Sequence, residues 1–70
     1  MSTVEHIVYM ANQIAANLAT DKDPVRAIVN HIELFWDPRM KALIKAHGDV
    51  GLSPNAAAAI EQIAKQHGPG

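Results

Sequence analysis

Apolar residues recur along this chain at spacings of three and four, and nowhere in the strict alternation of a strand. Val4, Ile7, Val8, Ala11, Ile14, Ala15 and Leu18 share one helical face, which predicts a first helix over residues 3–20. Ser2 and Glu5 have capping-box spacing at its start, Ser2 as N-cap and Glu5 three positions in. Val25, Ile28, Val29, Ile32 and either Phe35 or Trp36 carry the same spacing through a second helix, residues 24–35. Asp23 caps it, and Pro24 takes the first helical position, where a missing N–H leaves no bond unmade. Asp37-Pro38 repeats the device and opens a third helix over 38–47, with Met40, Leu43 and Ile44 inward. A residue before proline is pushed out of the α region, so the second and third helices meet in a sharp corner at Trp36-Asp37-Pro38. Lys41, Lys45 and His47 lie toward the end of the third helix, where cations suit the dipole, and Gly48 offers a left-handed stop. After a loop at Asp49-Val50-Gly51-Leu52, Ser53-Pro54 opens a fourth helix over 54–66, with Ala56, Ala57, Ile60, Ile63 and Ala64 inward. Residues 68–70 form a tail expected to fray. The expectation is an all-α fold: one domain over residues 1–70, a small bundle of four short helices.

Composition limits what such a bundle can do. The chain has 70 residues, 49% of them hydrophobic, and twelve of those are Ala. A domain this small buries only about 60% of the surface its unfolded chain exposes, so it folds alone with little margin. The usual supports are missing. Without Cys there is no disulfide and no thiolate cage, which suits a reducing compartment. The four His, at 6, 31, 47 and 67, lack zinc-site spacing, and metal binding is not expected. The longest apolar run, Ala56 to Ile60, is far short of a membrane span, and no secretory leader is expected. Net charge of −1 and a pI near 6.4 oppose generic nucleic-acid binding. The remaining support is a partner chain.

The placement of charge points the same way. Ten of the 13 charged residues lie between Asp21 and Asp49, and none lies between His6 and Thr20. His6, Met10, Gln13 and Asn17 fall on a second stripe of the first helix, with Tyr9 beside it. Depleted charge with Tyr and Met is the composition of an interface core, whereas a merely solvated helix face carries Lys and Glu. Leu34 points away from the Ile28/Ile32 stripe and is either exposed or covered by another chain.

Two segments are more specific. Met10-Ala11-Asn12-Gln13-Ile14-Ala15, with His31-Ile32 and the corner Phe35-Trp36-Asp37-Pro38-Arg39-Met40, resembles the small delta subunit of cytoplasmic NAD-dependent formate dehydrogenases. The resemblance spans roughly residues 4–60 and includes Leu52-Ser53-Pro54. Tyr9 stands where a basic residue is common in that family, and Lys41 where Arg is common. The resemblance implies a non-catalytic, cytoplasmic subunit that docks on the cofactor-bearing alpha subunit and assists its stability or maturation. It also implies that the parent complex carries molybdenum or tungsten on a bis-pterin, iron–sulfur clusters, FMN and NAD in other subunits. This chain has no Cys to hold a cluster, no Gly-rich dinucleotide loop and no P-loop, so no catalytic, cofactor or metal residue is expected in it.

At the corner, Asp37 and Pro38 are accounted for by capping, and one of Phe35 and Trp36 by packing of the junction. Arg39 is not, since a cation suits a first helical turn poorly; its simplest role is a surface ion pair with Asp37 or Glu33. Trp and Arg are enriched at binding hot spots. The candidate partner contacts are therefore Tyr9, Met10, Gln13, Asn17, Leu34, Trp36, Arg39 and Met40, and the structural caps are Ser2, Glu5, Asp23, Asp37 and Ser53. Two other readings stand beside the subunit. One is a small homodimer using the charge-poor first and fourth helices, and an isolated subunit could self-associate the same way. The other is a helix-turn-helix-like nucleic-acid binder with Lys41 and Lys45 on the reading helix, opposed by the missing turn and the net charge.

Overall fold

Proline and its capping residue set three of the four helix starts. In the computed structural model, which describes residues 3–67, the helices are α1 (Thr3–Asn17), α2 (Pro24–Phe35), α3 (Pro38–His47) and α4 (Pro54–His67). No strand occurs among the described residues. The Asp23 carboxylate accepts from the Arg26 backbone N–H at 3.2 Å, Asp37 from Met40 N–H at 2.8 Å, and the Ser53 hydroxyl from Ala56 N–H at 3.4 Å. Each cap satisfies one of the four N–H groups that a helix start leaves without a partner. Ser2 and the 68–70 tail lie outside the described residues, and Glu5 sits in the first turn of α1.

Two helix ends differ from the periodic reading. The apolar pattern runs to Leu18, yet α1 ends at Asn17. The backbone tightens there: Ala19 N–H bonds Ala16 C=O at 3.4 Å and Asp21 N–H bonds Leu18 C=O at 3.0 Å, both spanning three residues. Asp21 then turns the chain by accepting from Asp23 N–H at 3.0 Å. At the other end, α4 runs one residue longer than predicted, to His67. The end of α3 follows the expected design: Gly48 takes φ +83° and its N–H bonds Ile44 C=O at 3.2 Å.

The core draws on all four helices and the corner: Ile7, Ala11 and Ala15; Ile28, Val29 and Ile32; Trp36; Ile44; Ala56, Ala59, Ile60 and Ile63. Helix α4 packs chiefly on α2, and α1 lies across α2, α3 and α4. The α4 stripe is shifted from the predicted one. Ala59 is fully buried, Ala64 is exposed and Ala57 is half-buried. The set 56, 59, 60, 63 spans a narrower arc than 56, 57, 60, 63, 64, and the narrower arc is the one that faces α2.

The loop from α3 to α4 is held by α1. Asn12 Nδ2 donates to the Gly51 carbonyl at 2.9 Å, and Ser53 N–H donates to Asn12 Oδ1 at 2.8 Å. One side chain thus pins the start of α4 to the middle of α1. Gly51 has φ +82°, and a Cβ there would lie 3.5 Å from Val8 Cγ1, so a left-handed turn passes close to α1 at this point. His47 Nε2 and the Val50 carbonyl, 3.0 Å apart, brace the same loop.

Candidate partner-binding groove

Among the described residues, surface clefts open between the helices. One, about 510 Å³, lies between the end of α3 and α4 and is bordered by Lys45, Asp49 and Glu61. A second, about 270 Å³, lies between α1 and the start of α4, among Asn12, Ala15, Ala16 and Pro54. The third, about 490 Å³, opens between α1 and the α2–α3 corner. Unlike the other two, it joins the Met10–Ala15 segment to the Phe35–Met40 corner, and it is the candidate site.

One wall is α1, with His6, Tyr9, Met10, Gln13 and Ile14. The other is the corner, with His31, Phe35, Trp36 and Met40. The spacings 6, 9/10, 13 put the α1 residues on the stripe opposite Val8 and Asn12, so α1 clamps the loop with one flank and lines the groove with the other. Gln13 Nε2 donates to Tyr9 Oη at 2.8 Å, which ties two exposed polar side chains together along that wall. His31 and Phe35 stack one turn apart, ring centroids 4.7 Å apart and planes tilted by 42°.

The corner separates its two aromatic residues. Trp36 is 5% exposed and belongs to the core, whereas Phe35 is 71% exposed on the groove lip. Trp36 leaves the helix in an extended conformation (φ −91°, ψ 138°) with its N–H still bonded to Ile32 C=O. The buried stripe of α2 runs through Ile28, Val29 and Ile32, and Phe35 falls at its edge beside His31. The exposed aromatic at the corner is therefore Phe35, which the sequence reading did not select, and Trp36 meets the groove only as part of its wall.

Of the sequence-predicted contacts, the structure brings together Tyr9, Met10, Gln13, Trp36 and Met40. Asn17, Leu34 and Arg39 do not line the groove, although all three are exposed and Leu34 is 78% so. Arg39 forms no ion pair among the described residues. Glu33 instead meets Lys41 at 3.6 Å, because residue 41 stands one turn inside α3 and reaches back over the corner. Lys41 is thereby drawn in, its side chain only 16% exposed, and one of the two lysines a DNA-reading α3 would present is occupied. The sequence reading missed Phe35, Ile14 and His31 as lining residues and Asn12 as the loop clamp, and it placed His6 on the charge-poor stripe without naming it a contact. Asn12 carries its own signal, a poor helix former in mid-helix.

No helix among the described residues is long and apolar enough to cross a membrane. No curated protein and no solved structure matches the chain. Residues 6–60, which contain both groove walls, both Asp-Pro starts and the Asn12 clamp, match the family model described as NADH-dependant formate dehydrogenase delta subunit, FdsD, and the chain belongs to that family.

Proposed function

We propose that the chain is a non-catalytic accessory subunit that docks through the α1–corner groove on the cofactor-bearing alpha subunit of its formate dehydrogenase, in the cytoplasm, and stabilises or helps mature it. The supporting observation is geometric. The helix-one segment and the corner segment, 25 positions apart at their first residues, Met10 and Phe35, line opposite walls of one groove. Capping and core packing account for Asp37, Pro38 and Trp36, and leave Tyr9, Gln13 and Phe35 exposed with no intramolecular need for an aromatic surface.

The donor set of this chain does not fit an iron–sulfur cluster or a metal ion. With no Cys, the chain offers no thiolate to an iron–sulfur cluster, and among the described residues no three His, Asp or Glu converge on a metal position. In this reading the molybdenum or tungsten bis-pterin, the clusters, FMN and NAD are held by other subunits, and this chain contributes surface.

Deletion of the chain tests the proposal. Formate dehydrogenase produced without it is expected to show lower yield and lower molybdenum or tungsten content per alpha subunit. Unchanged yield, metal content and activity would overturn the accessory role.

A further inference from the structure

The groove is neutral in a part of the molecule that is not. Its nine lining residues include no Asp, Glu, Lys or Arg. Charges do stand behind the corner, but Glu33 and Lys41 are paired with each other and neither lines the groove. The cleft beside α4, by contrast, is bordered by residues of both signs. A charged side chain entering the α1–corner groove would lose its water and meet no carboxylate, ammonium or guanidinium among the lining residues, only the imidazoles of His6 and His31. Apolar atoms entering it would meet Met10, Ile14, Trp36 and Met40, two of them unbranched methionines that adapt to an incoming shape.

The polar atoms of the groove are specific as well. Because Tyr9 Oη accepts from Gln13 Nε2, the tyrosine proton remains to be donated, and Gln13 Oε1 remains to accept. One donor and one acceptor, one turn apart on an exposed wall, complement an uncharged amide.

We infer that the groove receives an uncharged segment of the partner chain. The segment seats apolar side chains against Met10, Trp36 and Met40 and sets an amide against Tyr9 and Gln13. This rests on the docking reading above and names the chemistry of what docks. Charge complementarity here is neutral against neutral, the arrangement that avoids stranding a charge in an interface core.

The test is a competition for incorporation. The full-length chain and a mass-distinguishable variant are co-expressed with the other subunits, and their ratio in the purified complex is read by mass spectrometry. Gln13→Glu places a charge on the exposed groove wall and leaves the core untouched. It is expected to be under-incorporated at least tenfold. Gln62→Glu, the same change on the exposed part of α4, is expected to incorporate equally. Matching thermal unfolding of the two variants ties any difference to binding. Equal incorporation of Gln13→Glu overturns the neutral-groove inference and leaves docking intact, whereas absence of the unmodified chain from the complex overturns docking itself. A photo-crosslinker at position 35 then reads the occupant directly. Attachment to an uncharged stretch of another subunit is expected. Attachment to a charged stretch, or no capture of another subunit, overturns the inference, and capture of a second copy of this chain replaces docking with self-association.

Discussion

On one flank of α1, Asn12 reaches the α3–α4 loop and bonds both the Gly51 carbonyl and the Ser53 N–H. On the other flank, Tyr9, Met10 and Gln13 face the α2–α3 corner across a groove of about 490 Å³. The first flank meets its hydrogen-bonding needs inside the molecule: the Asn side chain uses donor and acceptor together, and a left-handed glycine brings the loop close. Among the described residues, the second flank bonds along itself, through Gln13 and Tyr9. A helix this short gains most of its stability from what it packs against. The difference separates the flank that serves the fold from the flank on which the proposed docking rests.

The comparison can be broken in graded steps. Trp36→Ala removes the one residue that is both core and groove wall, and is expected to cost about 3–5 kcal/mol, read by urea unfolding. A loss below about 1 kcal/mol would mean that the indole supports the surface and not the fold. Asn12→Ala opens the closed flank; two backbone groups lose their partner, for an expected loss of about 1–3 kcal/mol. Amide exchange at Ser53 should accelerate in this variant, and unchanged protection there would show that the loop does not depend on the clamp. Asp37→Ala unties the start of α3 and is expected to cost about 1 kcal/mol of thermal stability. Phe35→Ser, on the open flank, should leave stability within about 0.5 kcal/mol of the unmodified chain while lowering incorporation into the complex. If instead Phe35→Ser destabilised the isolated chain as much as Asn12→Ala, the two flanks would not differ in the way described.

How much of this was legible in the sequence follows from the range of the forces. Caps and corners act over three or four residues, so Asp23, Asp37 and Ser53 announce the starts of α2, α3 and α4 at the positions observed. The end of α1 carries no Gly or Pro signal, and periodicity overran it by three residues. Which alanines of α4 turn inward depends on where α2 lies, and Ala59 was misplaced for that reason. The groove needed both its walls. A charge-poor stripe identified Tyr9, Met10 and Gln13, but Phe35 entered only once the corner had taken Trp36 inward. Arg39, selected because a cation is unsuited to a first turn, stands outside the groove.

The amino-acid sequence by itself determined four helices, the capped starts of three of them, a two-residue corner, a first helix without formal charge from His6 onward and the motifs of the delta-subunit family. Those features are local or compositional, and each is set by backbone sterics, hydrogen-bonding caps or the count of charged side chains. Only the tertiary structure decided that Asn12 faces a loop about 40 residues away, that Trp36 is buried and Phe35 is not, and that two distant motifs line one neutral groove. These outcomes depend on how the four short helices divide a small amount of apolar surface among themselves. No single stretch of the chain contains that division.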